Sequence, residues 1–487
     1  MRDIIFRFFL RLFGFSIHKR YGQNKGTIVI LIDGLSYDAL LLAITKKQCP
    51  TLKKLVTKKG HFIQPYYCGL PAATTSTEAL LFYGNNANIP GFTWYDRALG
   101  AFVRGNRSYE LAQFEDAYQK KWSLLTDGSA IMSVYTGGAT ELSVSGRNLT
   151  LSKSMPMIKA IHYLLMSILY PIQLIRALFV TCKMVILYYR SNVDRAKEMM
   201  SGLFLGQFSC FLTEIEIMRN TKKIFVDFLL YDEMAHEHGP THPTALSALK
   251  LIDRYIKRII NTSHHSGMTY DIIILSDHGQ TGSIPYDDTT PRCETEIRQA
   301  LQDPKREILK TYGGFIPDGK KSSLFVVPAG STLQLYFSES LGKPMTHDEI
   351  KRQYPSFIEK LLEYQGFGWI LMREKNGERL LMGKYGTVHF DKNGNHTITG
   401  DPLRHIPKRD FDNTISSFKT YSQFVNNGDI VIFGATINGA VVSFEKHKGT
   451  HGGFFGPMVT PFIISTLKLE KNDSMEMIFR KIEYNMR

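Results

Sequence analysis

The sequence predicts an α/β fold with a mostly parallel sheet covered by helices on both faces, and three apolar runs carry that expectation. Residues 27–34 read Thr-Ile-Val-Ile-Leu-Ile-Asp-Gly, residues 224–232 read Ile-Phe-Val-Asp-Phe-Leu-Leu-Tyr-Asp, and residues 271–279 read Asp-Ile-Ile-Ile-Leu-Ser-Asp-His-Gly. Near-continuous aliphatic runs mark strands buried on both faces, and the helical patterns between them supply the cover. Asp33, Asp232 and Asp277 each close one of these runs. Ligands of open α/β sheets gather at the carboxyl ends of strands, so position and residue type agree.

Bulk properties narrow the function. A chain of 487 residues exceeds a single core and calls for one large domain with insertions, or two domains. The net charge of +14 favours an anionic partner, either a phosphorylated substrate or a membrane surface. No nucleic-acid-binding signature accompanies the charge, which argues against nucleic acid as a structural partner. Cys49, Cys68, Cys182, Cys210 and Cys293 are odd in number, widely spaced and free of CxxC pairing, so they read as reduced, buried thiols.

In chain order, residues 1–20 interleave Ile, Leu and Phe with Asp3, Arg7 and Arg11, which fall on one narrow face at about 100° per residue. The segment lacks the small-residue cleavage site of a secretory signal. It is expected to be a basic amphipathic helix in a bilayer interface, with docking on the protein's own core as the alternative. Residues 37–45 continue as a helix, and residues 71–84 as a loop entering a second one. Segment 98–221 is expected to be a helical insertion whose part 154–190 is unusually apolar but broken by Pro171, Arg176 and Lys183. These pieces are shorter than the roughly 20 apolar residues a span needs, so they suit a buried hairpin or a cap leaning on a membrane. Segment 287–441 reads as an α+β insertion: a strand over 332–337, a helix over 346–364, and a hairpin over 386–400 turning at Asn393-Gly394. The core is then 27–97, 222–286 and 442–487.

The chemistry lies in the core segments. Asp232 and His236, four residues apart, share one side of a helical turn or tight loop, as two ligands of one metal must. Asp277 and His278 are adjacent and can meet one ion only where the strand ends or bends. His451 precedes Gly452 and Gly453, which let the backbone approach a crowded site. Thr74 lies in Gly-Leu-Pro-Ala-Ala-Thr-Thr-Ser-Thr-Glu (69–78), just before a helix whose N-terminus favours phosphate. The same stretch also reads as a capping box over 75–78.

With these residues in place the chain resembles the alkaline phosphatase superfamily, in particular its type I phosphodiesterase/nucleotide pyrophosphatase branch. Pro71-Ala-Ala-Thr74 is similar to the branch's Pro-Thr-x-Thr nucleophile loop. Residues 232–240, Asp-Glu-Met-Ala-His-Glu-His-Gly-Pro, are similar to its Asp-x-x-Gly-His-x-x-Gly-Pro element, and Asp277-His278-Gly279 and Gly449-Thr-His451-Gly complete the order. The resemblance covers 27–97, 222–284 and 447–463 and is weak across both insertions. It implies an alkaline phosphatase-like fold and two zinc ions, with manganese as the fallback. One ion would be held by Asp232, His236 and His451, and the other by Asp33, Asp277, His278 and Thr74. It further implies hydrolysis of a nucleotide or lipid-headgroup phosphodiester through a phosphoryl-threonine at Thr74.

A phosphomonoesterase, a phosphoryl-group transferase and a phosphoglycerate mutase-like isomerase share this site, and an inactive membrane scaffold is the alternative of another class. Residues 71–76 lack the Cys/Ser-x-Pro-x-Arg of a sulfatase. Many relatives carry a phosphate-binding Asn after the nucleophile helix. The aligned position here is Tyr95, leaving Asn85, Asn86, Asn88 or the Tyr95 hydroxyl for that role.

Overall fold

The computed structural model describes residues 25–486, apart from 59, 107, 119–122, 148–192, 290–291, 312–321 and 471–472. The expected helix over 1–20, the apolar segment 154–190 and Cys182 therefore lie outside the described residues. Among the described residues no helix is long and apolar enough to cross a membrane.

A seven-stranded sheet forms the centre. Its strands are β1 (Lys25–Ile32), β2 (Phe62–Pro65), β3 (Gly128–Ser133), β4 (Leu142–Ser145), β5 (Lys223–Phe228), β6 (Thr269–Leu275) and β7 (Phe462–Ser465), in the spatial order β2-β7-β6-β1-β5-β3-β4. The five from β6 to β4 are mutually parallel, while β7 runs antiparallel to β6. The unbroken apolar run of β1 has a direct cause. Ile28, Ile30 and Ile32 pack into the core on one face, and Val29 and Leu31 into the core on the other. A strand at the centre of a doubly covered sheet has no face for a polar residue. Helices α1 (Tyr37–Thr45), α3 (Val193–Arg219) and α5 (Pro243–His264) contribute to the first core. Helix α2 (Thr74–Tyr83) and the C-terminal helix Met475–Met486 contribute to the second.

Segment 98–221 differs from the helical insertion expected of it. Strands β3 and β4 extend the central sheet, and Cys210, Leu212, Ile215 and Ile217 of α3 are buried in the first core. Buried Glu216 ties these parts together, accepting from Ser129 Oγ at 2.7 Å, Arg219 Nη1 at 2.7 Å and Thr221 Oγ1 at 2.8 Å. Gly-Ser-Ala-Ile-Met-Ser and Leu-Ser-Val-Ser are short and rich in small residues, so they carry no apolar strand pattern. The four described free cysteines are all buried.

Segment 287–441 carries all eight strands of a second sheet, Ile430–Gly434 and Thr332–Phe337 among them, with its own hydrophobic core. The hairpin Gly386–Phe390/His396–Gly400 pairs as expected. The helix expected over 346–364 is two helices, His347–Gln353 and Phe357–Glu363. Pro355 forbids a helical Tyr354, which is extended at φ −135° and ψ 77°. Thr281–Pro285 pairs with Ala440–Ser443 on one side and Gly449–Thr450 on the other, which brings His451 to the carboxyl ends of the central strands.

Candidate active site

All seven residues expected in the site converge at the carboxyl end of the central sheet. Asp33 follows β1, and Gly34 then turns at φ +69°. A Cβ at Gly34 would overlap the Asp232 carboxylate, so only glycine lets the end of β1 lie this close to the helix Leu230–His238. The Gly34 N–H donates to Asp277 Oδ1 at 3.2 Å. Asp277 and His278 lie beyond the end of β6, where the chain has left strand geometry, and their side chains converge with Oδ2 and Nε2 3.2 Å apart. Helix α4 (Leu230–His238) puts Asp232 and His236 one turn apart, with Oδ2 and Nε2 at 3.1 Å. His451 is followed by Gly452 at φ +92°, and its ring stacks on His278 at 4.0 Å.

Thr74 opens helix α2. Its Oγ1 lies 3.2 Å from His278 Nε2 and 3.5 Å from Asp33 Oδ1. The capping box over 75–78 does not form: the N-cap is Ala73, with no side-chain cap. Glu78 turns inward instead and accepts from the Val134 N–H at 2.7 Å.

The imidazoles are oriented alike. His278 Nδ1 faces Gly279 O at 3.0 Å, His451 Nδ1 faces Ala72 O at 2.8 Å, and His236 Nδ1 faces Gly449 O at 2.8 Å. A ring whose Nδ1–H is held by a carbonyl offers Nε2 as the electron-pair donor, the arrangement typical of metal-ligating histidines. Ligand atoms of Asp33, Asp277 and His278 lie within 4.8 Å of one another, as do those of Asp232, His278 and His451. His236 joins the second set through Asp232. Asp277 Oδ2 is buried without a hydrogen-bond partner, a state that suits an oxygen waiting for a cation. The donor set fits divalent metal ions of the zinc or manganese type.

Burial and mutual charge set the protonation states. Burial pushes Asp277 up to about 6, reinforced by the Asp232 charge, and raises Asp33 with help from Asp277. Burial brings His278 down to about 4 and His451 to about 3, so both are neutral at pH 7. Burial also acts to lower His236, but the Asp232 carboxylate outweighs it and holds the ring at about 9.

Asp33, Thr74, Asp232, His236 and His451 border a cavity of about 340 Å³. Its lining includes residues the motifs did not reveal: Arg104, Asn106, Phe92, Asp227, Glu445 and His447. Asp227 is 1% exposed, and both its carboxylate oxygens lack hydrogen-bond partners. A lone acid inside an otherwise apolar strand was the available signal for it. His447, four residues before His451, packs its ring 4.1 Å from His236. None of the four candidates for the missing Asn role borders the cavity. Tyr95 packs against Phe102 and Tyr336, Asn85 Oδ1 accepts from the Ala87 N–H, Asn86 donates to Ser76 Oγ, and Asn88 Oδ1 accepts from the Val425 N–H. Arg104 is the Lys or Arg side chain that the described lining supplies.

The sequence model of the type I phosphodiesterase/nucleotide pyrophosphatase family matches residues 27–303, more than half of the chain. The chain belongs to that family. It is accordingly a phosphoric ester hydrolase of the alkaline phosphatase superfamily. Among solved structures, the wild-type alkaline phosphatase PafA is similar at 12% identity over 96% of each chain, with a TM-score of 0.56, and shares the fold. Murine ectonucleotide pyrophosphatase/phosphodiesterase 5 matches at 14% identity over 95% of each chain with a TM-score of 0.46. Phosphonoacetate hydrolase from Sinorhizobium meliloti 1021 matches at 13% identity over 96% of this chain and 97% of that one, with a TM-score of 0.47. No curated protein sequence matches the chain.

Proposed function

We propose that the chain hydrolyses phosphodiesters of nucleotide or lipid-headgroup type, with Thr74 as nucleophile and two zinc ions as cofactors. One ion would be held by Asp33, Asp277, His278 and Thr74, the other by Asp232, His236 and His451. The observation that carries this reading is the placement of Thr74, the first residue of a helix, with Oγ1 3.2 Å from His278 Nε2 and 3.5 Å from Asp33 Oδ1 at the edge of the cavity. When bound, such ions lower the pKa of hydroxyl and water and neutralise charge on the phosphoryl oxygens.

The chain's own residues do the remainder. Helix α2 fixes Thr74 beside both ligand groups, and the N–H groups of its first turn favour an anion there. Thr74 Oγ attacks phosphorus in line, forming a phosphoryl-threonine ester and releasing the first alcohol. Water then attacks the same phosphorus, restoring the Thr74 hydroxyl and freeing the phosphomonoester. Most of the rate enhancement is positioning and charge stabilisation. The basic composition and residues 1–20 support a peripheral place on an anionic membrane surface, and no nucleic acid is needed as a structural partner.

One observation favours a second reading, a phosphomonoesterase. Arg104 supplies a cation to the cavity lining, and a monoester carries an additional anionic oxygen for it to meet. The test is hydrolysis of bis-p-nitrophenyl phosphate against p-nitrophenyl phosphate, with and without zinc, by wild type and Thr74→Ala. The diester is expected to be the better substrate, and Thr74→Ala to lose at least about 1000-fold in rate while folding normally. Wild-type turnover by the variant would sink the nucleophile assignment. A monoester preference would favour the second reading.

A further inference from the structure

Away from the catalytic cavity, Lys47, Lys54, Lys250, Arg254 and Lys257 surround a depression of about 480 Å³ between helix Pro50–Lys58 and helix α5. All five are exposed, and none is in an ion pair with a described residue. The contrast with neighbouring Arg258 is direct, since that residue is paired with Glu214 at 2.6 Å. The one carboxylate among the described lining residues, Asp253, is 2% exposed and already engaged: it accepts the N–H groups of Thr51 and Leu52 at 3.0 Å each. Lys46 and Lys53 add two further exposed cations in the adjoining chain. Like charges gathered on one concave face repel one another unless an anionic partner relieves them.

The chain's path says where this face lies. Strand β1 runs from Lys25 to the site at Asp33, and α1 returns the chain toward the end where β1 began, leaving Lys47 there. Helix α5 makes the same return, since it leads into β6, whose first residue Thr269 is paired with Lys25. The sequence that joins β1 at Lys25 is itself apolar and basic, with Arg7, Arg11, Lys19 and Arg20 among its phenylalanines and leucines. No aromatic side chain is among the described residues that line the depression, so these offer none of the stacking platform that single-stranded nucleic acid uses.

We propose that Lys47, Lys54, Lys250, Arg254 and Lys257 form a docking face for the anionic surface of a lipid bilayer, so that the catalytic cavity opens away from that surface. The inference takes the peripheral placement from the function proposed above and is independent of the catalytic assignments. Each cation near an anionic surface adds modestly to binding, and a polybasic face together with an apolar segment supplies the two signals that stable anchoring requires.

The test is co-sedimentation of the full chain with phosphatidylcholine vesicles, with and without about one-third phosphatidylserine. The expected result is binding that needs phosphatidylserine, falls at high salt, and weakens roughly 25-fold in Lys54→Gln/Lys257→Gln. Lys250→Gln/Arg254→Gln, on the other rim, is expected to behave alike. Hydrolysis of bis-p-nitrophenyl phosphate is expected to be unchanged in both variants and on the vesicles. Wild-type vesicle binding by both variants, binding indifferent to phosphatidylserine, or retention on oligouridylate in place of vesicles would overturn the docking face. Loss of soluble-substrate turnover on docking would overturn the orientation. An inactive wild type that still bound the vesicles would count against the catalytic reading alone.

Discussion

The two ligand groups of the site differ in their access to water. Asp33, Asp277 and His278 are 5%, 0% and 0% exposed, while the side chains of Asp232 and His236 are 15% and 16% exposed at the cavity wall. The enclosed group lies against Thr74; the open one shares its wall with Glu233 and His447. An enclosed cluster suits a fixed clamp on the proposed nucleophile, and an open one suits a position where water can exchange. Sequence spacing does not display this difference, because it follows from which ligands lie on strand ends inside the sheet and which on a helix at its rim.

The largest effect that can break the comparison belongs to the enclosed group. Asp277→Asn keeps the shape and removes one of the carboxylates crowded at the end of the sheet. Turnover is expected to fall by at least about 1000-fold, with bound zinc reduced in elemental analysis. Without metal the same substitution is expected to stabilise the protein. Burial and Asp232 hold Asp277 near 6, so above that pH the metal-free fold bears an unfavourable buried charge that the amide lacks. A Tm raised by about 2–4 °C in chelator at pH 8 is the expected readout, and a lowered Tm would show that Asp277 is needed for the fold itself.

Substitution in the open group is expected to do less to the first chemical step and more to the second. Asp232→Asn should lower the zinc content by about one ion and slow hydrolysis of the phosphoryl-threonine more than its formation, so the phosphorylated protein accumulates during turnover. Mass spectrometry of the quenched reaction checks this. If no adduct appears while turnover is lost, the two groups do not divide the steps in this way.

The comparison also has a pH signature. In the metal-free protein His236 is held at about 9 by Asp232 against the effect of burial. A histidine raised above its unfolded value of about 6.5 contributes stability that is complete below that pH and lost as pH rises through about 9. The Tm in chelator is therefore expected to decline between these limits. Zinc affinity should rise over the same interval, since His236 Nε2 must release its proton to bind an ion. Titration with zinc near pH 7.5 should release about one proton more from wild type than from His236→Gln. His278 and His451, at about 4 and 3, are already neutral and add nothing to this release.

The contrast between what was readable and what was not follows the same physical division. Strands β1, β5 and β6 lie at the centre of the sheet, so each left a largely apolar run, and each is followed by one of the expected acids. The convergence of the seven residues at one end of the sheet was therefore legible. Strands β3 and β4 are short, serine-rich and paired through backbone bonds that carry no side-chain signature, so segment 98–221 read as an insertion. The Asp-x-x-x-His spacing reported a helical turn correctly, while the 75–78 capping pattern was overridden because Glu78 is held by the Val134 N–H. The cavity wall was least legible. Arg104 ends a short hairpin, Thr93–Asp96 with Ala101–Arg104, and Asn106 follows it, so that pairing carries them to the site.

That hairpin gives the smallest expected effect and the finest test of how the site meets its substrate. Tyr95 occupies the aligned position of the missing phosphate-binding Asn, yet it is 6% exposed and packed between Phe102 and Tyr336. Arg104, paired across the hairpin with Thr93, borders the cavity instead. Tyr95→Phe keeps the ring contacts and is expected to change kcat/KM by less than about twofold, within the range of a lost hydroxyl that faces no substrate. Arg104→Met is expected to cost roughly 10- to 100-fold in kcat/KM, the scale of a charge-assisted hydrogen bond. The loss should be greater for the monoester than for the diester, because the monoester presents the extra anionic oxygen. Equal losses on both substrates would assign Arg104 to holding the cavity wall, and a large loss in Tyr95→Phe would return the phosphate contact to the aligned position.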